Sequence, residues 1–349
     1  MTTIRCADLS DDAQLQAIDA YVAEHRGGSA FHRPAWSRAV ERGCGQSAHY
    51  LLAERGGEIV GLLPLSEVHS PLFGRALASA GFAVGGGPIG DDQGAVDALA
   101  EAGWALAERL SCPSLELRGG TLPSGEGWYV AQGIYAGFAR PLARDDEAEL
   151  LAIPRKQRAE VRRAQGLELQ VRTGVEEQDR ADHYAVYAES VRNLGTPVFP
   201  RALFDAVLDG FGHDADILTV SQGGVPLSSV LSLYHKGVVM PYWGGGRRAA
   251  RACRANDMMY FALMRHARGR GCTAFDFGRS KLGTGAFAFK KNWGFEPEPL
   301  AYAGRTAERQ EPREINPLNP RYRLQIALWQ RLPLSVANRL GPWIARGLG

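Results

Sequence analysis

Two glycine pairs, each flanked by long apolar runs, constrain this chain more than any other feature. His49–Arg55 leads into Gly56-Gly57 and then Glu58–Val68; Ile217–Gln222 leads into Gly223-Gly224 and then Val225–Tyr234. Adjacent glycines supply the positive φ angles of a tight two-residue turn, so each stretch reads as a β-hairpin. The two turns lie 167 residues apart. Further pairs recur at nearly that offset and in the same order. Gly85-Gly86-Gly87 closes one apolar segment and Gly244-Gly245-Gly246 closes another, 159 residues on. A helix is expected after each, over roughly 94–109 and 257–268. The second should start near Asn256 or Asp257, since both residue types cap helix starts well. Each helix leads to a strand with an embedded acid, Cys112–Gly120 and Cys272–Ser280, 160 residues apart. The ordered series indicates a duplicated unit of about 160 residues.

Short apolar strands alternating with amphipathic stretches give the fold class as α/β (α+β). The 349 residues suit two domains, expected at 1–145 and 146–305, with a linker and tail over 306–349. The boundary falls in the charged stretch after Ala143, and the tail follows a polar, Pro-rich stretch.

Charge and composition exclude several classes. Net charge is only +2, so any basic footprint must be local. The five cysteines are scattered and form no C-x-x-C, which fits a reducing compartment rather than a disulfide framework or zinc site. Eight histidines without H-x-x-x-H spacing make a metal site unexpected. The chain has no apolar run long enough to span a bilayer and no secretory signal, so a cytoplasmic location is expected. Gly85–Gly90 fits G-x-G-x-x-G, but Pro88 stands inside it and no ribose-binding acid follows at the usual distance. A G-x-S-x-G nucleophile elbow is absent. Chemistry by direct transfer, relying on positioning and charge stabilisation, stays compatible.

Three segments are candidates for that chemistry. Pro154 suits the first turn of a helix on which Arg155, Arg158 and Arg162 share one face, with Lys156 beside them. Such a face grips phosphates, or is simply a solvated surface. In Phe275–Gly294 a strand enters a Gly-rich loop with Arg279 and Lys281, and a short apolar segment then delivers Phe289, Lys290 and Lys291. A cation beside such a loop can stabilise an oxyanion; the plainer reading is a glycine-rich connector with surface lysines. Tyr242 and Trp243, ahead of the second glycine triplet, could line a pocket or close a half-buried strand end.

The tail from Asn316 has no acidic residue and five arginines, at 321, 323, 331, 339 and 346. Leu324, Leu328 and Leu332, then Val336, Leu340 and Ile344, recur at helical spacing around Pro333. A basic amphipathic helix of this kind lies on anionic membrane or docks on protein.

Four segments together resemble the Fem peptidyltransferase (FemAB-like) family. They are Ser29–Val40, Gly85–Pro88, Arg155–Val171 and Phe275–Phe295. The chain is most similar to members accompanying exosortase/PEP-CTERM and exopolysaccharide loci. The resemblance implies tandem GNAT-like domains. It also implies attack of an acceptor amine on an activated carbonyl. Phe289-Lys290 matches the family's Phe-Lys motif, which makes Lys290 the candidate for stabilising the transition state. Arg155, Lys156, Arg158 and Arg162 would face phosphates, and Tyr242, Trp243 and Arg279 would shape the acceptor pocket. The chain has no room for seryl-tRNA-synthetase-like helical arms, and Gly244–Asn256 matches a CoA pyrophosphate loop poorly.

The function so implied is transfer of an acyl or aminoacyl group onto an amine of a cell-envelope or exopolysaccharide precursor. No tightly bound cofactor is expected; aminoacyl-tRNA or acyl-CoA would be the co-substrate. Location would be cytoplasmic or peripheral at the inner membrane face. The alternatives are a CoA-dependent N- or O-acetyltransferase of a sugar or lipid-linked glycan, and a non-catalytic GNAT-like module of an exopolysaccharide assembly system.

Overall fold

The structure, a computed structural model, describes residues 2–71, 74–308 and 323–348. Of the linker expected from 306, residues 309–320 lie outside the described residues, as does Arg321, while Thr306 ends a strand. The chain begins with β1 (Thr3–Cys6), α1 (Asp12–Glu24), α2 (Pro34–Cys44), β2 (Ser47–Arg55), β3 (Glu58–Ser70), β4 (Gly74–Ser79), β5 (Ile89–Gly90), α3 (Gln93–Arg109), β6 (Ser114–Arg118) and β7 (Tyr129–Ala131). It continues with β8 (Tyr135–Pro141), α4 (Asp146–Ala152), α5 (Arg155–Gln165), β9 (Gln170–Gly174), α6 (Glu177–Leu194), α7 (Arg201–Phe211), β10 (Ala215–Gln222), β11 (Val225–His235), β12 (Val238–Gly246), α8 (Ala255–Gly269) and β13 (Ala274–Lys281). The remainder is α9 (Gly285–Asn292), β14 (Glu298–Pro299), β15 (Tyr302–Thr306), α10 (Arg323–Arg331) and α11 (Leu334–Ala345).

Side-chain caps set several helix starts. Asp92 accepts from the Ala95 N–H at the head of α3, Asp145 from Ala148 at α4, and Thr284 from Phe287 at α9. Pro34 and the Pro154-Arg155 step open α2 and α5, where a missing N–H costs nothing. The head of α8 departs from expectation. Its cap is Arg254, in a left-handed conformation, and Asn256 and Asp257 lie inside the first turn. Asn256 lies against the Gly246 backbone and Asp257 accepts from Gln157, so neither side chain is spent on capping. The glycine triplets differ as well. Gly244–Gly246 ends a strand, whereas Gly85–Gly87 lies in the irregular segment after β4.

The described strands form two sheets of matching order. One runs β1-β2-β3-β4-β6-β15-β7, with β5 alongside β3; the other runs β14-β8-β13-β12-β11-β10-β9. In both, two hairpin-linked strands follow a pair of helices, and a helix crosses over to a parallel neighbour: β4 with β6, β12 with β13. The last strand of each series is exchanged. β8 precedes residue 145 yet pairs with β13; β15 ends the second half yet pairs with β6. Strand pairing therefore crosses the boundary expected at 145/146.

Helices α2 and α7 hold equivalent places in the two halves and pack on each other. Their core joins Phe31, Trp36, Val40, Leu203, Phe204, Val207 and Phe211 with Trp243. The contact is close because Gly43 has no side chain: a Cβ there would lie 2.3 Å from the Leu203 Cα. Gly43→Ala should therefore force the helices apart and lower unfolding free energy by about 2 kcal/mol in urea titration. Gly269→Ala, where the new methyl meets nothing within 4 Å, should leave it unchanged or slightly higher.

Candidate active site

β12 and β13 pair over only two positions, Val238 with Ala274 and Val239 with Phe275. Beyond them β12 follows β11 to Gly246, and β13 follows β8 to Lys281. The two strands diverge and leave a cleft of about 360 Å³ between them. Its walls are Met240–Gly244 and Phe277–Ser280, with Tyr260, Ala286, Lys290 and, from the first half, Val84.

The first half closes its equivalent split with its own chain. β4 and β6 pair at Leu77–Leu115 and Ala78–Glu116. The Gly87 N–H donates to the Arg118 carbonyl at 2.9 Å, and the Arg118 N–H donates to Ser79 Oγ at 2.7 Å. The same filling segment reaches the open cleft. Tyr242 Oη donates to the Phe82 carbonyl at 2.6 Å, and Tyr302 Oη to the Val84 carbonyl at 2.9 Å.

Along β13 one extra residue is accommodated between Asp276 and Arg279 relative to β8, a bulge with Gly278 at φ +65. Only glycine takes that conformation without strain. The bulge turns three successive carbonyls toward one point. Lys290 Nζ sits there, donating to Phe277 O at 2.7 Å, Gly278 O at 3.1 Å and Arg279 O at 2.8 Å. It also lies 5.4 Å from the Phe138 ring centre. Burial lowers this ammonium from its ordinary 10.5 to about 8; Asp276 opposes the shift and Arg279 adds to it. Lys290 thus lines the cleft, but all three of its protons are committed to the backbone. Its charge reaches the cleft as a field, and its hydrogen bonds hold the wall.

Arg279 is the cation with donors to spare. Its guanidinium stacks 4.5 Å from the Tyr135 ring centre and 5.4 Å from that of Tyr302, and Nη1 donates to Tyr302 Oη at 2.8 Å. Tyr135 lies on β8 and Tyr302 on β15, so both exchanged strands hold this one side chain. Arg279 has no carboxylate partner among the described residues.

Tyr242 and Trp243 form the opposite wall, backed by Trp36 at 5.2 and 5.8 Å between ring centres. The Ser29–Val40 segment singled out in the sequence serves here as a buttress. Phe289 packs at 5.6 Å from Tyr260 and 6.3 Å from both Phe277 and Trp293, behind the wall rather than in the cleft. Arg155, Arg158 and Arg162 do not join the cleft. They line a separate concavity of about 490 Å³ along α5 and form no ion pair among the described residues. Lys156 is exposed on the same helix. Gly294, just after α9, lies against Pro154 and so ties the end of α9 to the start of α5.

Sequence reasoning missed Tyr260 and Ser280. Tyr260, on α8, lines the cleft; its hydroxyl has no hydrogen-bond partner among the described residues, and burial pushes it up to about 12. Ser280 presents a buried Oγ with no partner among the described residues. Among the described residues no cysteine or histidine lines the cleft. Among the described residues no group of three or more His, Cys, Asp or Glu side chains could hold a metal.

The arrangement has counterparts in known proteins. Residues 154–291 match the family model described as an acetyltransferase (GNAT) domain. None of the curated proteins matches the chain in sequence. Among solved structures the chain is similar to FemX, at a TM-score of 0.67 and 16% identity over 92% of this chain and 99% of that one. It is also similar to L-PGS from Bacillus licheniformis, at a TM-score of 0.55 and 14% identity over 92% and 98%. A tandem GNAT protein from the clavulanic acid biosynthesis pathway gives 0.53 and 13% over 89% and 100%. The fold is therefore the tandem GNAT-like one that the resemblance implied.

Proposed function

We propose that this chain transfers an activated acyl group, aminoacyl in the first reading, directly onto an amine of a cell-envelope or exopolysaccharide precursor. The reaction is assigned to the cleft between β12 and β13, with the half before residue 146 as its support. One observation carries the reading. Among the described residues, a guanidinium without a carboxylate partner faces a cleft whose lining holds no nucleophile–base pair.

In such a cleft the nucleophile comes with the acceptor. The amine lone pair attacks the carbonyl carbon of the donor ester or thioester, and the carbonyl oxygen takes up negative charge. Arg279 donates to that oxyanion, and the charge of Lys290 beneath the bulge lowers its energy further. Collapse of the intermediate expels the alkoxide or thiolate, and the proton lost by the amine neutralises it. Tyr260 Oη is a cleft hydroxyl without a partner among the described residues and is placed to relay that proton.

The arginines of α5 suit the phosphates of a polyanionic donor. The head of α8 suits a pyrophosphate poorly, because Asp257 stands in its first turn. Both points favour aminoacyl-tRNA. The match of residues 154–291 to an acetyltransferase domain favours acyl-CoA as the second reading.

The test is transfer of labelled acyl groups to amine acceptors in an extract supplied with the purified chain. Loss of transfer on nuclease treatment identifies a tRNA donor, and dependence on added CoA identifies a thioester. If neither donor supports transfer by the folded chain, the reading fails.

A further inference from the structure

We infer that α10 and α11 seat this chain on an anionic lipid bilayer. A helix that docks on a globular body ordinarily buries its large apolar residues and turns polar ones outward. α11 does the reverse. Ala337, Gly341 and Ala345 face the body, with Gly341 against the Val198 backbone. Val336, Leu340 and Trp343 are 40%, 45% and 47% exposed. On α10 Ile326 packs against Gly195, while Leu324 and Leu328 stand 71% and 57% exposed. Each of the two helices thus turns large apolar side chains outward.

Charge decides what covers them. From Asn316 onward the sequence has no Asp or Glu. Arg331, Arg339 and Arg346 are exposed and form no ion pair among the described residues. A second copy seated symmetrically on this face would bring arginines against arginines, with no acid in either tail to pair them. A nucleic acid would engage the arginines but leave the leucines and the tryptophan uncovered. An anionic bilayer satisfies both sets: apolar side chains enter the acyl boundary while guanidinium groups meet lipid phosphates. No helix among the described residues is long and apolar enough to cross a membrane, so the contact lies along the surface. Val198, under α11, precedes Phe199, whose ring is 6.3 Å from that of Trp243 in the cleft wall. The bilayer surface would thus be close to the cleft, although the inference does not depend on the transfer reaction.

The test is co-sedimentation of the full chain with vesicles of phosphatidylcholine, with and without phosphatidylglycerol. Binding should require the anionic lipid and weaken as salt is added. Replacing Arg331, Arg339 and Arg346 together by Ala should cost roughly a hundredfold in affinity, at roughly fivefold per arginine. Leu328→Ser with Trp343→Ser should also release the chain. All five positions are exposed, so circular dichroism should be unchanged in both variants. The inference is overturned by indifference to phosphatidylglycerol or by full binding of the arginine variant. Lipid-free dimers that disappear in Trp343→Ser would assign the face to a second copy instead. Binding of tRNA that needs the arginines but not Trp343, without vesicle binding, would assign it to nucleic acid.

Discussion

Arg279→Gln is expected to lower kcat for acyl transfer by about two to three orders of magnitude. Unfolding free energy should stay within about 1 kcal/mol of the parent. The asymmetry follows from how the side chain is held. Tyr302 keeps its own bond to the Val84 carbonyl when the guanidinium is gone, and the wall of β13 is fixed from beneath by Lys290. What is lost is the cleft cation whose donors are not already taken. Arg279→Lys should recover little, because an ammonium neither stacks flat between Tyr135 and Tyr302 nor presents a fork. Steady-state kinetics with the donor identified by the nuclease and CoA experiment, alongside urea titration, decides this. A kcat within tenfold of the parent would remove Arg279 from the oxyanion role.

Lys290→Met should have the larger effect on the fold and a comparable one on transfer. The substitution leaves three carbonyls of one bulge without their donor, at roughly 1–3 kcal/mol for each that water from the cleft does not reach. A net loss of about 3 kcal/mol and at least a hundredfold loss of kcat/KM are expected. Titration separates the two roles. The folded ammonium loses its proton near pH 8 and the unfolded one near 10.5. Between those values the unfolded chain binds more protons, so this group makes the fold more stable as pH rises from 8. Transfer should move the other way, because the cleft loses a positive charge: kcat/KM should fall above about pH 8. An unchanged alkaline limb in Lys290→Met would show that the limb belongs to another group.

Much of the architecture was legible because it is written in local chemistry. The glycine pairs at 56–57 and 223–224 do turn hairpins, and the helices expected after the glycine triplets run over 93–109 and 255–269. The strand around Asp276 and the arginine helix also stand where their patterns put them. The exchange of β8 and β15 was not legible, because which strand completes a sheet is a non-local choice that leaves no mark in either segment. For the same reason Tyr135 and Tyr302, far apart in sequence, gave no sign that they would clasp one arginine. Tyr260 reads as one more aromatic on the buried face of an amphipathic helix; only the divergence of β12 from β13 exposes its hydroxyl. Lys290 was found, but its three carbonyl partners depend on a bulge that Gly278 permits rather than announces.

The swapped final strands also limit how the molecule can move. Two lobes joined by a linker can swing apart to admit a substrate and close over it. Here such a swing would strip an inner strand from each sheet and tear Tyr302 away from Arg279. On the proposed transfer, donor and acceptor would therefore approach through the gap where β12 and β13 part, as through a fixed doorway, with any gating left to side chains and loops at its edge.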